Sequence, residues 1–468
     1  MALSPPERSS PRSRRVARPL LLALASFALV PGLIACGAPS ALSPGELDGG
    51  SASDTTAAAS PTPTPVPEPS PTAPPAEVPQ LVVPQAMLAV PGDRADATVE
   101  VESVSLPVVV ELVDPPPGLS LSGETLEWQP TEPGTVTATI RATDSEGVAA
   151  EATVVLRARY PQHPELLVGL GDSVASGHGL ELGDYLGGDD CWRGGDAAYP
   201  VVTAHLLVER GLLPPAATAV LAACSGATAE DLSTVPVGVA VPDALAVADD
   251  AELAARAQLD WAARLNPAVI TLTVGANTLG FVDPEQLLDG TEIDWVTVTA
   301  SLAVLEADLG GAIDRLVATT DSVVAVTGYY NPAAARPQGV DGCAEQCFAA
   351  ASAEVTASLN ATIERVAAAH PDRVVWVPLT ERFAGHGAPN GLGPDELRDG
   401  DGPIAGLLGD VVAGVHPYCA KGDDDGASWL NPVDCVHPDD EGARQLAAAV
   451  ADALQERVGP GPIEAPLR

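Results

Sequence analysis

From His163 onward, five short apolar runs rich in β-type residues alternate with alanine-rich stretches of helical character, and no other feature of the chain restricts its fold so tightly. The runs span 166–170, 218–222, 269–274, 322–327 and 373–377, and the helical stretches lie near 199–210, 250–265, 293–318, 350–369 and 439–457. Regular strand, helix, strand alternation predicts a parallel sheet wrapped on both faces by helices. Sheets of this kind place their sites at the carboxyl ends of the strands. Chemistry is therefore sought just after each run.

The chain upstream divides by texture. Arg8, Arg12, Arg14, Arg15 and Arg18 precede an apolar stretch, 20–35, that is short for a membrane span and suited to a secretory signal. It ends in Leu33-Ile34-Ala35-Cys36, which resembles a bacterial lipobox and implies removal of residues 1–35 and lipidation of Cys36. Residues 36–80 carry Pro, Ser and Thr in runs such as "PTPTPVPEPSPTAPP", too poor in apolar side chains to build a core, so an extended disordered linker is expected. Between 81 and 160 lie "ATVEVESV", "PVVVELV", "TVTATIRAT" and "AEATVVLRA", separated by Pro, Gly and Asp turns, the pattern of a small antiparallel β-sandwich. The stretch "PPGLSLSGETLEWQPTEPGTVTATIRATDSEG" resembles bacterial Ig-like modules, with Trp128 as a packing residue and the module as a spacer or a unit that docks on cell wall or polysaccharide. Residues 161–460 then form the α/β domain.

Charge and cysteine content narrow the partners and the compartment. With 63 acidic residues against 23 basic ones, the net charge of −40 repels nucleic acid and anionic membrane. Contact with a membrane is expected only through a lipid at Cys36. Setting Cys36 aside leaves Cys191, Cys224, Cys343, Cys347, Cys419 and Cys435, an even set that reads as disulfides in an exported protein. Proximity favours Cys343 with Cys347 and Cys419 with Cys435, which leaves Cys191 for Cys224. Neither a Cys-x-x-Cys pair nor a Cys/His pair at zinc spacing occurs, so no metal site is expected.

The first apolar run of the α/β domain leads into "GLGDSVASGHG" at 169–179. Alone, Gly171-Asp172-Ser173 reads as a turn, since all three are common turn formers. Three later segments change that reading: "ACSGAT" with Gly226, "VGANTLGF" with Asn277, and "DCVHPDDEG" with Asp434 and His437. Each follows a predicted strand or precedes the final helix. In this order the four segments resemble the blocks of the SGNH, or GDSL, hydrolases. The resemblance implies a flavodoxin-like three-layer fold, Ser173 as nucleophile, His437 as base and Asp434 as the acid that orients it. It also implies an oxyanion hole from Ser173, Gly226 and Asn277. "CWRGGDAAYP", "CSGAT" with its disulfide-bearing cysteine and "FAGHG" are similar to segments of secreted actinobacterial lipases of this family.

The residue types suit the chemistry. A serine hydroxyl attacks only when a base takes its proton, and a carboxylate helps that base by fixing its tautomer. Thr278 departs from the family, which carries Asp there. His178 reads equally as a pocket residue and as an exposed turn residue. The expected function is cofactor-free carboxylic-ester hydrolysis at the cell surface, on lipid or simple esters. Two alternatives are a non-catalytic surface binding or adhesion lipoprotein and a carbohydrate-ester deacetylase.

Overall fold

In a computed structural model of the chain, the described residues are 77–180, 191–239, 256–281, 287–289, 292–332, 343–387, 428–431 and 436–463. The signal segment, Cys36 and nearly all of the linker lie outside them, as do Cys419, Asp434, Cys435 and the side chains of Cys343 and Cys347.

The five apolar runs form five strands: β1 (His163–Gly171), β2 (Thr218–Leu221), β3 (Pro267–Thr273), β4 (Val323–Thr327) and β5 (Val374–Val377). Their order in the sheet is β2-β1-β3-β4-β5, and every neighbouring pair is parallel. This is the flavodoxin-like order, whose switch point lies between β1 and β3. The central strand explains the apolar runs: all seven residues of β3 are buried, as expected where helices cover both faces.

Four principal helices occupy the predicted stretches, with 250–255 of one stretch outside the described residues: α2 (Tyr199–Glu209), α3 (Gln258–Leu265), α5 (Trp295–Thr319) and α6 (Cys343–Ala367). A fifth, α7 (Asp440–Val458), closes the domain. Two single-turn helices, α1 (Ser173–Ser176) and α4 (Ala276–Leu279), begin directly beyond β1 and β3. Helices α2 and α7 pack together on one face, while α3, α5 and α6 pack on the other. On α5, Leu305, Leu309, Ile313 and Leu316 recur at helical spacing and are fully buried. Its start is fixed by Asp294, whose carboxylate accepts from the N–H groups of Val296 and Thr297 at 3.0 and 3.2 Å.

The β-sandwich has a four-stranded sheet, in the order Ala86–Ala89, Ala149–Ala158, Gly134–Thr143, Val109–Val113, facing a three-stranded sheet of Ala95–Thr98, Thr125–Trp128 and Leu119–Ser122. Trp128 is 3% exposed and packs in the core with Leu126, Ile140, Val154 and Leu156. Two details depart from the expected antiparallel pattern. Ala86–Ala89 runs parallel to Ala149–Ala158. The "ATVEVESV" run is not one strand: it divides at the fully buried Val99, and Glu100–Glu102 turns away to pair with Gln80–Val82.

The sandwich and the α/β domain meet at the amino ends of the parallel strands. Arg159, just past the sandwich's last strand, donates to the carbonyls of Val317 and Thr320 at 3.2 and 2.6 Å and pairs with Asp321. Thr135 donates its hydroxyl to Ala318 O at 3.0 Å. These groups satisfy carbonyls that the end of α5 leaves without intrahelical partners. The opposite edge of the sheet carries the segments singled out from the sequence.

Candidate active site

The first segment is shaped by one glycine. Gly171 has φ +127°, and a Cβ there would lie 1.9 Å from Thr273 O on the neighbouring strand. Its N–H donates to Gln258 Oε1 at 2.7 Å, while its carbonyl accepts from Gln258 Nε2 at 2.9 Å and from Cys224 N at 3.0 Å. One buried amide side chain thus grips both polar groups of the residue that ends β1. Asp172 N–H donates to Thr273 O at 2.9 Å, and the chain turns into α1 with Ser173 as its first residue.

Asp172 caps that turn, accepting from Val174 N at 3.0 Å and from the Tyr329 hydroxyl. It is 1% exposed, and burial pushes its carboxyl up to about 6 against an ordinary 3.8; the Tyr329 hydrogen bond, the backbone N–H groups of Val174 and Ala175 and the nearby His437 pull the other way. Tyr329 stands just past β4 and also accepts from Ala276 N at 3.3 Å, which links the ends of three strands through one phenol.

After β2 comes the Cys191–Cys224 disulfide, the pairing that proximity had left for these two cysteines. Gly226 follows at φ +82° in an exposed turn. After β3, Asn277 Nδ2 donates to Ala227 O at 3.0 Å. Thr278 Oγ1 accepts from Ala229 N at 2.9 Å, which ties the second and third loops together.

The segment around His437 is held from several directions. Leu430 and Pro438 form an antiparallel bridge, Asn431 N–H donates to His437 O at 2.7 Å, and Asp439 N–H donates to Trp429 O at 2.8 Å. Tyr330 donates its hydroxyl to Val436 O at 2.5 Å. Asp439 then caps α7 by accepting from Gly442 N at 2.8 Å.

These constraints bring Ser173, Asn277 and His437 to one pocket, partly open to solvent and walled largely by apolar and aromatic groups including Val174, Phe281, Tyr329, Tyr330 and Leu359. Gly226 lies outside the pocket lining, one residue from the carbonyl that Asn277 grips. Asp434 is outside the described residues, and its position relative to His437 is not described. His178 is half-buried: its ring stacks on that of His437, and its Nδ1 lies 2.7 Å from Ser225 Oγ. A serine hydroxyl, an imidazole and amide donors around an apolar cavity at a switch point can carry acyl transfer.

Asp172, Tyr329, Tyr330 and Gln258 were not singled out from the sequence. The tyrosines had a usable signal, since they follow β4 at the edge where such sheets place their sites. Gln258 had none, because it reaches Gly171 from a helix 87 residues away.

Asp172 makes stability depend on pH. Its folded pKa is raised above its unfolded value, so the native state binds the proton more tightly. The associated stability is fully present below about pH 4 and is lost as pH rises through about 6, on the order of 2–3 kcal/mol for a wholly buried group. Asp172→Asn keeps an acceptor for Val174 N–H and cannot ionise. Its melting temperature relative to wild type should therefore climb between about pH 4 and pH 7. A difference that stays flat across that range would show that the carboxylate carries no burial penalty.

The He_PIG family of Ig domains matches residues 50–158, reaching back from the sandwich into residues outside the described region. No curated protein matches the chain. Among solved structures, the extracellular lipase of Streptomyces rimosus is 20% identical with a TM-score of 0.38, over 62% of this chain and 99% of that one. Phospholipase A1 from Streptomyces albidoflavus NA297 is 18% identical with a TM-score of 0.34, over 62% of this chain and 98% of its own. A protein of Parabacteroides merdae described as a GDSL-like lipase is 16% identical with a TM-score of 0.29, over 62% of this chain and 94% of its own. At these scores, the fold assignment of the α/β domain rests on its own strand order and switch point.

Proposed function

We propose that the α/β domain is a serine hydrolase of the SGNH type that cleaves carboxylic esters, displayed at the cell surface by a lipid on Cys36, the linker and the Ig-like domain. The observation that carries this reading is the convergence of Ser173, Asn277 and His437, from three separate segments, on one pocket. Ser173 Oγ attacks the ester carbonyl carbon as His437 takes its proton. The bond to the alcohol oxygen breaks when His437 returns that proton to the leaving group, and an acyl-serine remains. A water deprotonated by His437 attacks the acyl carbon, and the acid leaves with Ser173 reprotonated.

The developing oxyanion would be met by the N–H groups of Ser173 and Gly226 and by the Asn277 amide, each donor lowering the barrier by roughly 3 kcal/mol. The amide nitrogen carries two hydrogens, so its bond to Ala227 O leaves one for substrate. Asp434 is proposed to orient His437. The apolar pocket wall supports an acyl or other apolar ester group beside Ser173.

A fluorophosphonate probe should label the protein at Ser173, as read by peptide mass spectrometry. Acyl esters of graded length should then be hydrolysed better as the chain grows beyond acetyl. Failure of the probe to modify Ser173 would reject the hydrolase reading. Turnover confined to acetyl esters of carbohydrates would reassign the substrate to the deacetylase class.

A further inference from the structure

Three aromatic rings stand in series beside the pocket. The His178 ring lies parallel to that of His437, with centroids 4.5 Å apart and 4° between planes. The other face of His178 stacks on Trp192 at 4.8 Å and 17°. Its Nδ1 is 2.7 Å from Ser225 Oγ, and its backbone N–H donates to Ser173 O at 3.0 Å.

The supports of this stack are covalently tied. Trp192 follows Cys191 and Ser225 follows Cys224, the two halves of the disulfide, and Ser225 N–H donates to Cys191 O at 3.0 Å. Ser176 Oγ donates to Trp192 O at 3.2 Å. Arg193, next in the chain, donates to Ala223 O at 3.0 Å. The disulfide thus holds both the ring behind His178 and the hydroxyl at its edge.

We infer that His178 is a positioning residue: its ring, braced by Trp192 and Ser225, fixes the plane in which the His437 imidazole meets Ser173. The inference rests on His437 being the base. An imidazole that must take a proton from one oxygen and return it to another works only in a narrow range of ring orientations. The backbone contacts of Asn431 and Tyr330 fix the loop carrying His437, whereas the stack acts on the ring itself. His178 bonds the Ser173 carbonyl through its backbone N–H and lies against the His437 ring through its imidazole, so nucleophile and base are registered through one residue.

The test compares His178→Ala, His178→Leu and His178→Phe in the full chain. Alanine and leucine remove the aromatic face, whereas phenylalanine keeps it and gives up the ring nitrogens, the bond to Ser225 among their contacts. Both His178→Ala and His178→Leu should lower kcat about tenfold with KM changed by less than about twofold, and His178→Phe should recover to within about threefold of wild type, since ring misplacement costs rate and not binding. NMR resonances of the His437 ring protons should shift in the alanine and leucine variants and stay near wild-type positions in His178→Phe. Wild-type rates in folded His178→Leu, a phenylalanine variant as slow as the leucine one, or a change confined to KM would each overturn the inference. A wild type that neither turns over esters nor takes the probe at Ser173 would instead bring down the hydrolase reading, even with the ring shifts intact.

Discussion

Replacing Ser173 with alanine should abolish ester hydrolysis and fluorophosphonate labelling while leaving the fold in place. The expected loss is about 10⁴- to 10⁶-fold in kcat, the scale seen when the nucleophile of a serine hydrolase is removed. The structure separates this chemical effect from a structural one. The turn at Ser173 is built by neighbours and backbone: Asp172 caps it through Val174 N, Gln258 grips Gly171, and the Ser173 carbonyl accepts from His178 N at 3.0 Å. None of these bonds uses the Ser173 hydroxyl. Ser173→Ala should thus melt close to wild type, and paired melting and rate measurements distinguish lost chemistry from lost structure. Undiminished probe labelling in this variant would show that another residue is the nucleophile.

The hydroxyl's surroundings also show why the sequence revealed some parts and concealed others. Strands such as β3 were legible because burial on both faces leaves no polar period, only an apolar run. The helices were legible because alanine, the strongest helix former, is abundant in the stretches between the runs. Ser173, Gly226 and Asn277 stood just past β1, β2 and β3, where the topology puts sites, while His437 stood before α7, and the chain order of the four carried the family resemblance. Asp172, by contrast, reads as an ordinary turn aspartate until Tyr329, 157 residues away, is placed against it. His178 was equally opaque, since its role depends on Trp192 and His437 reaching its two faces. The split of "ATVEVESV" at Val99 came from pairing with Gln80–Val82, a tertiary choice that overrides local β-propensity.

Gly171→Ala should have the largest effect on stability of any single methyl added to this site. The new Cβ would lie 1.9 Å from Thr273 O, 2.7 Å from its carbonyl carbon and 3.0 Å from its N, all backbone atoms of the central strand β3. Relief would need β1 and β3 to part or Gly171 to rotate. Their parallel ladder and the Asp172 N–H bond to Thr273 O resist the first. The Gln258 clamp and the bond from Cys224 N resist the second. Nor does φ +127° suit an L-residue with a side chain. A cost of about 4 kcal/mol or more is expected, a large share of the roughly 5–15 kcal/mol that holds a typical domain together. Gly226→Ala is the control: φ is +82°, but nothing lies within 4 Å of the added Cβ, so only backbone strain of about 1–2 kcal/mol remains. Urea unfolding followed by tryptophan fluorescence should rank wild type above Gly226→Ala and both well above Gly171→Ala. Equal midpoints for the two glycine variants would mean that β1 and β3 separate easily at this point, and that the Ser173 turn is held less firmly than its hydrogen bonds require.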